Sequence, residues 1–163
     1  MKSLELIKKY CIFEEAILDS VSCNNLVDAV LTIKISEWNF TMEFGREWNI
    51  PIDHEIARER IFELFEGESV GVLCKNLTLL RLNRVRYRLP DSFLGQPELP
   101  LAPDWQEIRK TIIGFSILES SALLDELGQH RNLFHHVAIE TNEGSLDVLC
   151  QDIEILNWPK TTK

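Results

Sequence analysis

The strongest constraint in the sequence is a pair of alternating runs in its last third. FHHVAIET (134–141) and LDVLCQ (146–151) flank Asn142-Glu143-Gly144-Ser145. Val137 and Ile139 in the first run, and Leu146, Val148 and Cys150 in the second, recur at every other position. That is the period of a strand with one buried face. The residues between are turn formers, with Gly144 free to take a positive φ. The runs therefore read as an antiparallel hairpin. A four-residue turn sets Thr141 against Leu146, Ile139 against Val148 and Val137 against Cys150. It also faces Glu140 with Asp147 and His136 with Gln151. A slip of one residue would place Ile139 against Asp147, so burial selects this register over that one.

Other segments extend the pattern. Residues 3–10 read as a short helix capped by Ser3, and 12–23 and 26–38 as a hairpin about Asn24-Asn25. Residues 39–55, with Gly45 and Pro51 as breakers, read as irregular. IARERIFELFEGE (56–68) supports two readings. As a helix it has Ala57, Ile61, Leu64 and Phe65 on one face, Asp53 as cap and Gly67 as stop. As a strand it runs through a Glu-Gly turn into SVGVLC. Further strands fall at 70–74 and at 77–89, the second bent or broken near Asn83, and at 108–118. Ser120 or Ser121 caps a short helix over ALLDEL that ends at Gly128. DIEILNW adds a last strand before a polar tail from Pro159. Four of the six prolines lie in a long loop at about 90–103, and its flanks share one style. The expectation is one α+β domain over 1–163, mainly antiparallel sheet with one or two short helices.

Charge narrows the function classes. The 17 basic and 26 acidic residues give a net −9, which argues against nucleic acid as the main partner. Residues 1–89 carry 12 basic and 14 acidic groups, and residues 90–163 carry 5 and 12. An acidic C-terminal part steers a basic protein partner, or simply keeps the chain soluble. No run approaches the ~20 apolar residues of a membrane span, and MKSLELIKKY lacks the layout of a secretory signal. A cytoplasmic protein is expected. Cys11, Cys23, Cys74 and Cys150 contain no C-x-x-C pair and fit reduced, buried thiols better than disulfides or structural zinc. No cofactor motif is present, so no cofactor is expected.

Three constellations carry potential chemistry. Glu140 and Asp147 would face each other at roughly 5 Å, a repulsive pair unless a proton, a metal or an arginine relieves it. Arg84, Arg86 and Arg88 alternate on one strand face, with Arg81 just before them. Tyr87 points to the opposite face, which spoils a base-stacking platform, so ion pairing with carboxylates is the expected role. His136 can reach Cys150 across the hairpin as a nucleophile pair, although a buried thiol is the commoner outcome. His135 points the other way from His136, and His54-Glu55 lacks the second histidine of a zinc motif.

The succession LTIKISEW, RIFELFEG, SSALLDEL and FHHVAIETNEGSLDVLC resembles small, mostly uncharacterised bacterial α+β domains. Some of these are encoded beside toxins and act as immunity proteins. The resemblance covers roughly residues 12–156 and implies a strand for RIFELFEG, which decides that segment. It implies no catalytic residue. Two function classes follow. The first is a non-catalytic binding protein, in its specific form an immunity-type inhibitor that covers a basic toxin surface. The second is a small-ligand-binding protein or enzyme with a pocket of Glu140, Asp147, His136 and the arginine strand. A homodimer through an open sheet edge is compatible with both.

Overall fold

The computed structural model describes residues 2–24, 27–84 and 110–160, with the side chains of residues 24, 83 and 84 outside that description. Six antiparallel strands carry the fold: β1 (Ile17–Asn24), β2 (Asp28–Lys34), β3 (Ser69–Arg84), β4 (Lys110–Leu118), β5 (His135–Thr141) and β6 (Gly144–Ile155). Their spatial order, β1-β2-β3-β6-β5-β4, closes into a barrel. The closing seam is short. Among the described residues, Ile17 with Thr111 and Leu18 with Lys110 pair across it, extended by Glu15 N–H to Ile112 C=O at 2.7 Å and Ile112 N–H to Ala16 C=O at 2.8 Å. The α+β class is as the sequence implies, and helix is more plentiful than expected. Helices α1 (Ser3–Tyr10), α2 (Met42–Glu47), α3 (His54–Leu64) and α4 (Ala122–Asp125) are joined by 3-10 turns at Glu37–Asn39 and Gly128–Leu133.

Period-2 burial explains the strands. In β2, Ala29, Leu31 and Ile33 are buried while their neighbours are half-buried, and β6 buries Leu146 and Val148 in the same way. β3 is one strand where two were expected. Among the described residues its irregularity falls between Leu77 and Leu79, next to Asn76 at φ 53°, and pairing is regular through Arg84. Residues 85–89 and the proline-rich loop lie outside the described residues. Gly71 sits where Leu156 crosses β3. A Cβ there would lie 2.9 Å from Leu156 Cδ1.

Two readings are corrected. Residues 54–64 are helical, not a strand. Asp53 Oδ1 accepts the N–H groups of Glu55 and Ile56, each at 3.1 Å, which satisfies donors that only a helix start leaves open. Ala57, Ile61 and Phe65 then share one buried face, and the charges of ARER point outward. The local capping and period won over the resemblance. The second correction concerns the hairpin register. Thr141 pairs with Gly144, Glu140 with Ser145, Ile139 with Leu146 and Val137 with Val148. The turn holds two residues, not four. Thr141 Oγ1 donates to Gly144 C=O at 2.8 Å and accepts Glu143 N–H at 3.2 Å, which tightens it. A slip of two keeps every side chain on its own face, so burial could not tell the registers apart.

Beside the barrel lies an aromatic layer. Tyr10, Phe40, Phe44, Trp48 and Phe65 surround Trp158, whose ring centroid is 5.5 Å from Phe44, 5.7 Å from Trp48 and Phe65, and 5.8 Å from Tyr10. This layer seats α2 and α3 against the barrel. Segment 39–55, read as irregular, is thereby ordered. Ser36 caps the first 3-10 turn, and Thr41 Oγ1 caps α2 by accepting Phe44 N–H.

Candidate functional site

The structure brings together some of the expected polar residues. His136 on β5 is buried, its ring held between Ser121 Oγ, 2.8 Å from Nδ1, and Asp147 Oδ1, 2.7 Å from Nε2. Ser121 reaches it because it ends the link from β4 and caps α4, where its Oγ accepts Leu124 N–H at 3.2 Å. Asp147 reaches it from β6, and its other oxygen accepts Arg81 Nη2 at 3.1 Å from β3. With the neutral ring protonated on Nε2, every partner matches. Arg81 and His136 donate to the carboxylate, Ser121 donates to Nδ1, and Leu124 donates to Ser121.

Glu140 is not part of this chain. It faces Ser145 across the hairpin, is exposed, and lies beside Gly114 on β4. The expected Glu140–Asp147 confrontation is thus absent, and Ala138 stands opposite Asp147 instead. Arg84 belongs to β3 opposite Gly144, and Arg86 and Arg88 lie outside the described residues. Within that run, Arg81 is the arginine whose side chain is described, and it meets Asp147. Cys150 does not pair with His136. It is buried on the barrel wall beside Cys74, where a hydrogen bond between the two thiols and burial push the Cys74 pKa up.

Serine, histidine and aspartate in hydrogen-bond sequence are the parts of a nucleophilic relay. Here each heteroatom is spent within the protein. The imidazole is buried, both ring nitrogens are engaged, and the serine oxygen is occupied as a helix cap. The chain ties α4 to three strands.

A different region is concave. A cavity of about 760 Å³ opens between the segment before α2, α2 itself and the start of α3. Ile12, Trp38, Phe40, Met42, Ile50 and Ile52 supply most of its apolar wall. Four of these, Ile12, Trp38, Met42 and Ile52, are among the nine large apolar side chains left exposed in the described residues. Met42 is 83% and Ile52 97% exposed. At one side the Trp38 ring meets the imidazole of His54, with centroids 4.4 Å apart. Polar groups are few. Glu37 is only 6% exposed and is clamped by Arg58, which donates from Nε at 3.2 Å and from Nη2 at 3.5 Å. Thr41, Asn49 and Arg46 complete the polar part of the lining.

Among the described residues, none of those expected to form a site (Glu140, Asp147, His136) lines this groove. Apart from Ile12, its residues fall in 37–57, the end of the expected 26–38 strand followed by the stretch read as irregular and then as a strand. One signal was present. Met42, Ile50 and Ile52 are apolar residues in a segment without apolar period, so no single buried face can hold them all. No protein-family model matches the chain, and no curated protein matches it.

Proposed function

We propose that this protein is a non-catalytic binding protein and that the apolar groove is where it takes a small apolar ligand. The observation that supports this most is the pairing of concavity with exposed apolar side chains at one place. Small-molecule sites are clefts of roughly 300–1,000 Å³, mostly apolar with a few placed polar groups. A cavity of about 760 Å³ walled by Ile12, Trp38, Phe40, Met42, Ile50 and Ile52 fits that description. The polar chain at His136 favours the non-catalytic half of the reading, because its nucleophile, base and carboxylate are consumed by structural bonds.

A second reading draws on two observations. Met42 and Ile52 stand almost fully clear of the surface, as anchors at protein interfaces do, and the net charge of −9 attracts a basic protein. In that form the protein is an immunity-type inhibitor of a toxin, as the sequence resemblance implies.

Nile red, a neutral dye, tests the groove without a charge bias. Its emission is expected to rise on mixing with the protein and to fall back for Met42→Glu and Ile52→Glu. Both positions are exposed, so the melting temperature should hold in both variants. Dye binding that survives both substitutions would remove the groove from the function.

A further inference from the structure

Among the described arginines whose side chains are placed, Arg46 alone makes no ion pair. Arg58 holds Glu37, Arg60 holds Glu63, Arg81 holds Asp147 and Arg131 holds Asp125. In a chain with 26 acidic residues against 17 basic ones, an unpaired guanidinium runs against the odds. The carboxylates near it in the chain are committed elsewhere. Glu43, one helical turn away, pairs with Lys9 at 3.3 Å, and Glu47 accepts the Tyr10 hydroxyl. Glu37, on the groove wall, belongs to Arg58. Arg46 lies in the last turn of α2, where a cation suits the helix carbonyls. That accounts for a basic residue at this position but not for its place in the lining of an apolar cavity.

From this we infer that the groove selects an apolar carboxylic acid, its chain or ring lying on Trp38, Phe40 and Ile50 and its carboxylate meeting Arg46. This rests on the groove being the binding site and adds the charge of its ligand. A guanidinium offers two parallel N–H groups to a carboxylate, and the pair strengthens where one side is apolar and dry. The local preference opposes the global one. The protein as a whole is acidic and repels anions at long range, but that field is screened within about 8 Å at physiological salt. Contact with Arg46 is therefore what decides. A second copy of the chain does not fit this site equally well, because its surface around the groove would bring another Arg46 toward the first.

The test uses three probes with the same ten-carbon chain, decanoate, decanol and decylamine, titrated below their micelle concentrations and followed by tryptophan fluorescence. Decanoate is expected to bind tightest, about fivefold above decylamine, the scale of one charge-assisted contact at a partly exposed site. Arg46→Gln should erase that order and leave decanol unchanged, while added salt narrows the gap in the wild-type protein. Decylamine binding as well as decanoate, or an order that survives Arg46→Gln, would overturn the inference while decanol binding upholds the groove. If none of the three binds and Nile red also fails, the groove reading itself is lost. A concentration-dependent dimer that disappears in Ile52→Glu would assign the groove to a second copy instead.

Discussion

The His136 chain and the apolar groove are built alike and finished differently. Each sits where a hydroxyl caps a short helix, Ser121 on α4 and Thr41 on α2. In the first region the polar side-chain atoms of Ser121, His136 and Asp147 all find partners within the protein. In the second, large apolar side chains and one guanidinium are left without any. By residue type the first looks like chemistry and the second like an unremarkable surface. Partner accounting reverses that impression. Groups that are satisfied internally hold a fold together, and groups left wanting are available to something else.

The sharpest way to break this contrast is His136→Ala. It leaves the Asp147 carboxylate and the Ser121 hydroxyl facing a small void, and it should cost about 2–4 kcal/mol in urea unfolding. Nile red binding should stay at the wild-type level. A loss below about 1 kcal/mol would mean that the chain is not structural and that a reactive role must be reopened. A serine-directed phosphonate offers an independent check, with no labelling of Ser121 expected in the folded protein.

At the opposite pole is Ile52→Ser. The side chain touches solvent almost everywhere, so stability should move by no more than about 0.5 kcal/mol while affinity for an apolar dye falls. If unfolding is instead strongly affected, Ile52 packs on something within the chain and the groove is narrower than it looks.

Base provides a third discriminator, since Tyr10 lies against Phe44 of α2 and Trp48 at its end while the His136 chain has no such group. The Tyr10 hydroxyl donates to the Glu47 carboxylate, and that bond holds its pKa above the ordinary 10.0. The folded state thus keeps the proton more firmly than the unfolded one. The stability it contributes is whole below the unfolded value and is lost as pH rises through the folded one. Phenolate absorbance should appear later in the folded protein than in denaturant, and Trp48 fluorescence should change with it.

How much of this was legible in the sequence depended on which signal was read. Alternation located the six described strands, because period 2 is a local property that burial enforces, though it divided β3 in two and read DIEILNW as a strand apart from β6. It could not set the hairpin register, since a shift of two preserves alternation, and the deciding bond is a Thr141 hydroxyl that leaves no mark on the apolar pattern. For residues 54–64 the helix signals, Asp53 before the run and Ala57 and Ile61 one turn apart, were present and were outweighed by a resemblance. His136 and Asp147 were both named from the sequence, each for a cross-strand contact that does not form. They bond each other directly, and the other ring nitrogen meets Ser121, 15 residues away from His136 in the chain and noticed only as a cap. The groove was hardest to see. It depends on an aromatic layer assembled from both ends of the sequence, and no local window contains it.

Trp158 gives that layer a consequence in time. A six-residue helix such as α2 does not persist alone in water. Its ring contacts reach more than a hundred positions along the chain, so the loop they close is long and its closure slow. During synthesis the residues of the groove emerge early and stay unshaped until residue 158 arrives to dock among Tyr10, Phe44 and Trp48. If the groove binds as proposed, its occupancy also reports that a chain has been made through to that tryptophan. A nascent chain halted short of it would hold every residue of the groove wall without the layer that shapes it.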